Sequence, residues 1–180
     1  MSVKLAINGF GRIGRNILRA SVENNRKDID IVAINDLGSP EMNLHLLKYD
    51  SVHGRFPLEL SLHKNYLKID DTEIEITAEK DPAKLPWSEV DVALECTGIF
   101  TDKEKASLHL NNGSNKVLIS APASNVDRTV VFGVNHESLI STDVIVSNAS
   151  CTTNCLAPVV KVLHESFGIE GGYMTTIHSY

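Results

Sequence analysis

Val3-Lys4-Leu5-Ala6-Ile7-Asn8-Gly9-Phe10-Gly11-Arg12-Ile13-Gly14-Arg15 is the stretch that decides the fold. A short apolar run enters G-x-G-x-x-G directly, and the residues from 11 to 25 place Ile13, Ile17, Leu18 and Val22 on one face of a helix. Strand, glycine turn and amphipathic helix, in that order, open a dinucleotide-binding βαβ unit. Gly9 makes the tight turn, Gly11 admits close approach of backbone to a pyrophosphate, and Gly14 lets helix pack on strand. The N–H groups and positive dipole end at the helix start would hold phosphate oxygens through the backbone of Arg12 and Ile13.

Outward from this unit, Val- and Ile-rich runs recur at 29–34, 90–94, 116–119 and 144–146, the pattern of strands buried in a parallel sheet. A helical pattern begins at Thr101-Asp102 and ends near Gly113. The expected fold is α/β: a Rossmann-type, doubly wound, mostly parallel sheet with right-handed crossovers. Over residues 55–78, Phe56, Leu58 and Leu60 alternate with other residues, as do Ile74 and Ile76, which indicates a small antiparallel insert at the sheet edge. Asn35-Asp36 closes the second strand. Asp36 stands 22 residues after Gly14, near the spacing of about 20 at which an acidic residue accepts from the adenosine ribose and repels a 2′-phosphate. NAD is therefore expected over NADP.

Composition bounds the partners. The 180 residues are 42% apolar, enough for one domain and a fraction, and carry a formal charge of −6. That charge argues against nucleic acid or an anionic membrane. No apolar run reaches the roughly 20 residues of a bilayer span and the start has no signal-peptide pattern, so a cytoplasmic protein is expected. Three cysteines, Cys96, Cys151 and Cys155, make no disulfide framework.

The second chemical signal is Ser147-Asn148-Ala149-Ser150-Cys151-Thr152-Thr153-Asn154-Cys155-Leu156-Ala157-Pro158, which follows a strand and opens a helix. At a helix N-terminus the dipole and free N–H groups favour thiolate over thiol, making Cys151 a usable nucleophile, with the hydroxyls of Ser150 and Thr152 beside it. The alternative is a small buried hydrophobe. Cys155, one turn on, is expected to pack beneath the sulfur. No matching pair of ligands completes a metal site around the two cysteines, and no metal is expected. Gly171-Gly172 and the residues after it read as a turn and a strand, on which His178 is either a base near Cys151 or an ordinary polar residue.

The motifs at 7–15 and around Cys151, together with Asp50-Ser51-Val52-His53-Gly54-Arg55-Phe56, resemble the glyceraldehyde-3-phosphate dehydrogenase family, and the resemblance runs the whole length of the chain. It implies an NAD-binding domain at 1–150 and the start of an α+β catalytic domain at 151–180 whose remainder is expected to be missing. It implies NAD contacts at Arg12, Ile13, Asp36, Lys80, Ser120 and the Thr97-Gly98 turn, substrate contacts at Ser150, Cys151 and Thr152, and His178 as the residue that activates the thiol. Arg often stands where this chain has Lys80, so a stacked or bidentate role does not transfer to it. The implied reaction converts glyceraldehyde 3-phosphate, inorganic phosphate and NAD to 1,3-bisphosphoglycerate and NADH through a Cys151 thioester, in a homotetramer. Erythrose-4-phosphate dehydrogenase shares the Cys151 segment, although Leu156-Ala157-Pro158 is closer to the triose enzyme. A non-catalytic NAD-binding fragment is the reading from another class.

Overall fold

The structure, a computed structural model, describes residues 2–178. In chain order its elements are β1 (Val3–Asn8), α1 (Arg12–Glu23), β2 (Ile29–Asn35), α2 (Pro40–Lys48), β3 (Tyr49–Asp50), β4 (Gly54–Arg55), β5 (Leu60–His63), β6 (Tyr66–Ile69) and β7 (Thr72–Thr77). They continue with β8 (Val92–Glu95), α3 (Lys103–Ala106), α4 (Leu108–Asn111), β9 (Lys116–Ile119), β10 (Arg128–Thr129), β11 (Ile145–Ser147) and α5 (Cys151–Phe167).

One sheet runs β10-β11-β9-β8-β1-β2-β7-β6-β5, and β3 pairs separately with β4. The pairs from β10 through to β7 are parallel, while β7, β6 and β5 meander antiparallel at the edge, as the alternation over 55–78 predicts. Strand order reverses direction at β1, whose neighbours are β2 and β8. Chain connections leave to opposite sides there, so a crevice opens beyond the carboxyl ends of β1 and β8.

Both faces of the central strands are buried, which is why they read as unbroken apolar runs. Leu5 and Ile7 of β1 face a cluster with Leu18, Ile31, Ile34, Leu47 and Phe56, while Ala6 faces the other way with Ala33, Ala93, Leu85 and Trp87. Small residues on the second face admit the Trp87 indole, 1% exposed. Helix α1 buries Gly14, Leu18 and Arg19. The Arg19 guanidinium donates to the carbonyls of Leu47 (2.8 Å) and Gly54 (2.9 Å) and lies over the Phe56 ring, tying α1 to α2 and to the β3-β4 turn. A buried cation with carbonyl acceptors is not visible in the apolar periodicity.

Helix α2 is absent from the periodicity reading as well, although Ser39-Pro40-Glu41 carries its start signal: Ser39 Oγ accepts from Met42 N, Pro40 takes the first turn and Glu41 faces the positive dipole end. The single helix expected from 101 to 113 is two short ones. Asp102 caps the first through Glu104 N, but Ser107 Oγ donates back to the Glu104 carbonyl at 2.6 Å and competes with the helical ladder. The strand expected after Gly171-Gly172 is not formed: residues 169–178 have no regular structure, and β10 closes the sheet at that side. Without a neighbour to pair its N–H and C=O groups, a β-propensity segment has no reason to stay extended.

Packing and charge can each be probed by one substitution. A Cβ at Gly14 would lie 2.2 Å from the Gly9 carbonyl oxygen and 2.9 Å from Ile7 Cγ2. Gly14→Ala is expected to lose about 1–3 kcal/mol in urea denaturation. Asp127, ion-paired with Lys103 and accepting from Ile145 N and Val144 N, is held at about 2 against an ordinary 3.8. Its pKa is depressed on folding, so its stabilisation is complete above the ordinary value and is lost as pH falls towards about 2. Asp127→Asn should therefore lower stability at pH 7 and flatten the loss on acidification, leaving the share of Asp50, also held at about 2, by His53 N first and by Val52 N and Arg12.

Candidate functional site: two adjoining clefts at the strand ends

The crevice at the reversal of strand order holds two clefts. The first, about 480 Å³, is lined by Gly9, Gly11, Asp36, Lys80, Thr97 and their neighbours. The second, about 470 Å³, is lined by Ile13, Ile17, Leu94, Ser120, residues 148–151 and Asn154. Cys96 lines both. Burial pushes its thiol up to about 11, against a hydrogen bond with Ser120, so it stands as a neutral wall rather than a nucleophile.

The glycine turn has the geometry its spacing predicts. Gly9 sits at φ +92°, and a Cβ there would fall 2.7 Å from Thr97 N, so the turn and the Thr97-Gly98 loop touch backbone to backbone. The position of Gly11 differs, because a Cβ built on it meets nothing within 4 Å. The space above it is open, and the start of α1 has no side-chain cap. Uncapped N–H groups facing an open cradle are what a pyrophosphate requires. The Arg12 guanidinium turns away to the ion pair with Asp50. That leaves its backbone N–H, not its guanidinium, at the open start of α1.

Asp36 is built into the wall: Oδ2 accepts from Phe10 N at 2.7 Å, Oδ1 from Gly38 N at 2.8 Å and from Asn43 Nδ2 at 3.3 Å. These bonds aim the carboxylate while leaving acceptor capacity for a ribose hydroxyl. Lys80 is exposed at the same cleft, where its ammonium can approach a bound group without being held to one geometry.

At the second cleft Ser150 caps α5: its Oγ accepts from Thr153 N at 2.9 Å and shares a 2.7 Å bond with Thr153 Oγ1. Cys151 is the first helical residue and is exposed. Ala149, just before the cap, is held at φ +56°, a conformation costing about 1–2 kcal/mol for an L residue with a side chain. Asn154 Nδ2 donates to the carbonyls of Asn148 (2.6 Å) and Ser150 (2.9 Å), lacing the first turn of α5 to the end of β11. Sequence reasoning assigns Asn154 nothing; its place four residues after the cap, within reach of the carbonyls at the turn into α5, is the signal.

Two expectations change. Cys155 is exposed rather than packed beneath Cys151, and no described residue of α5 is fully buried. His178 lies in the irregular segment 169–178, exposed, with its Nε2 3.0 Å from Thr176 Oγ1, and does not line the Cys151 cleft. The βαβ return that would carry it there needs a strand position in the sheet, and none is taken. Thr152 is half-buried in the first turn of α5, and Gly98 is exposed at φ +73°. Among the described residues no group of three or more His, Cys, Asp or Glu could hold a metal ion, and no helix is long and apolar enough to cross a membrane.

A glycine turn at the reversal of strand order, with an acidic residue ending the next strand, defines a Rossmann-class dinucleotide-binding protein. The model of the glyceraldehyde 3-phosphate dehydrogenase NAD-binding domain matches residues 3–103, and that of the C-terminal domain of the same enzyme matches residues 150–180. The chain belongs to the glyceraldehyde 3-phosphate dehydrogenase family, with NAD as cofactor. It is 60% identical to glyceraldehyde-3-phosphate dehydrogenases of Cereibacter sphaeroides and Xanthobacter flavus, and 55% identical to that of Geobacillus stearothermophilus. Each match covers all of this chain and 54% of the relative, so the chain spans about half the length of these curated relatives.

The open space at Gly11 generates a test. Gly11→Ala is expected to keep the melting temperature and to lose NAD affinity by at least about tenfold, as read by calorimetric titration, because its methyl group enters the pyrophosphate's volume.

Proposed function

We propose that the protein is an NAD-dependent, phosphorylating glyceraldehyde-3-phosphate dehydrogenase with Cys151 as its nucleophile. The observation that carries this reading is the position of Cys151: first residue of α5, exposed, at a cleft whose Cys96 wall is shared with the cofactor cleft. A carbon bonded to the sulfur is thereby close to a bound nicotinamide.

Gly9, Gly11 and Gly14 shape the pyrophosphate cradle, and the backbone of Arg12 and Ile13 donates to it. Asp36 accepts from the adenosine ribose, Lys80 and the Thr97-Gly98 turn flank the adenosine half, and Ser120 lies towards the nicotinamide. Ser150, Cys151 and Thr152 form the substrate-binding segment. The Cys151 thiolate attacks the aldehyde carbon to give a thiohemiacetal, with the backbone N–H of Cys151 facing the developing oxyanion. His178 removes the hydroxyl proton once its segment is brought to the cleft. NAD, when bound, accepts the hydride released from the substrate carbon. The resulting Cys151 thioester is attacked by inorganic phosphate, which forms the acyl phosphate and returns the thiolate.

This assignment is supported by the names of the relatives and by the residues at 147–158. The same resemblance supports a homotetramer, with residues 1–150 as the NAD-binding domain and 151–180 as the start of the catalytic domain. Three free cysteines fit a reducing, cytoplasmic compartment.

Cys151→Ser in the protein carrying the whole catalytic domain is expected to lower turnover by about 10³-fold or more while leaving the NAD dissociation constant unchanged. Iodoacetamide should modify Cys151 faster than Cys96. Undiminished turnover in the serine variant sinks the mechanism.

A further inference from the structure

Across the carboxyl ends of four parallel strands, Thr77, Asn35, Asn8 and Glu95 stand in register as one row. A register shift between Leu5 and Ala6 against β2 brings Asn8 opposite Asn35. Side chains at matched positions of parallel strands point to the same face, so the row forms a continuous chain of hydrogen bonds. It lies beneath the cofactor cleft, whose lining includes Asn8, Asn35, Glu79 and Thr97. Asn8, Asn35 and Glu95 are each at most 3% exposed.

The direction of every bond in the chain is fixed from its two ends, both of them backbone. At one end Glu79 N–H donates to Asn35 Oδ1 at 2.8 Å, and the Glu79 carbonyl accepts from Asn35 Nδ2 at 2.8 Å. That orients the Asn35 amide, whose Nδ2 also donates to Asn8 Oδ1 at 2.7 Å. Asn8 must then donate with Nδ2, and it does so to Glu95 Oε2 at 2.7 Å. At the other end Thr97 N–H donates to Glu95 Oε1 at 2.8 Å, joined by the Thr97 hydroxyl. Donors thus converge on position 95 from both sides, and His109, fully buried and stacked on Trp87, brings its Nε2 within 2.8 Å of Oε2 as a further donor. Only a carboxylate accepts at both oxygens; a carboxamide of the same shape presents a donor to donors.

We infer that Glu95 is a positioning residue for NAD. As the acceptor where the two halves of the chain meet, it holds the Thr97-Gly98 loop on one side of the cleft and, through Asn8 and Asn35, the Glu79-Lys80 turn on the other at one separation. The inference rests on the assignment of this cleft to NAD. Glu95 touches no part of the cofactor and acts through the two loops.

The test is a rescue by moving the charge one residue along the row. Glu95→Gln sets a donor against Asn8 Nδ2, and Asn8→Asp sets a carboxylate against Glu95. In the double variant the carboxamide at position 95 accepts from Thr97 and donates to the new carboxylate at position 8 and to His109 Nε2, which takes the other tautomer and becomes an acceptor. That carboxylate in turn accepts from Asn35, so both ends are satisfied with the net charge unchanged. By calorimetric titration with NAD, each single variant should bind about tenfold or more weakly, and the double variant within about threefold of the parent. Single variants that bind like the parent overturn the inference, as does a double variant no better than the singles, since a merely space-filling role does not return when the charge moves. If the parent itself does not bind NAD, it is the assignment of the cleft that fails. Should the variants not fold, side-chain hydrogen exchange in the parent decides: protected Asn8 and Asn35 carboxamide protons support the relay, and exchange as fast as that of a surface asparagine overturns it.

Discussion

The arrangement depends on a backbone contact that only glycine permits. Gly14, in the first turn of α1, lies against the carbonyl of Gly9, and Gly9 in turn lies against the backbone of Thr97. These contacts set the height at which α1 begins relative to the ends of β1 and β8. Because the helix starts that close to the sheet, its uncapped N–H groups open into the crevice and not into solvent at large. The same closeness lets Phe10 N reach Asp36 at the end of β2, so the glycine turn and the Asp36 carboxylate are parts of one object. A side chain at Gly14 would lift the helix and separate them.

Around this contact the protein buries polar groups, which costs several kcal/mol each where no partner is supplied. The partners come from strand register. Asn35, Asn8 and Glu95 satisfy one another because β2, β1 and β8 align them at one level, and one Nη of Arg19 finds two acceptors because α2 and the β3-β4 turn each bring a carbonyl towards it. Such networks stabilise little against an apolar core, but they admit one arrangement of their loops where an apolar contact admits several. A cleft that must hold two halves of a dinucleotide at a fixed spacing gains from that restriction.

The second half of the chemistry has a different physical status. Helix α5 is well capped and laced at its start, yet Val159, Val162 and Phe167 are each more than half exposed, and the described residues after it form no strand. Its N-terminus is defined by local bonds from Ser150 and Asn154, so Cys151 is set at its cleft without help from the rest of the helix. The bond of His178 to Thr176 Oγ1 lies within its own irregular segment and does not carry it to the cleft. The distance of that histidine from Cys151 is a matter of sheet pairing.

Local patterns were sufficient for the five central strands β1, β2, β8, β9 and β11, the antiparallel insert, the glycine turn and the cap that presents Cys151, because each rests on backbone preferences and contacts within a few residues. Helix α2 was legible in Ser39-Pro40-Glu41 although its apolar spacing was weak, and the break at Ser107 lay in a hydroxyl that periodicity ignores. Tertiary structure alone decided the rest. Asn8, Asn35, Glu95 and His109 look like isolated polar residues in the sequence, each 14 to 60 positions from the next, and become one network only through strand order and register. Cys155 and His178 show the converse: helical spacing and strand propensity assign each a place, but burial and proximity require a second surface, and sequence spacing along one element cannot supply it.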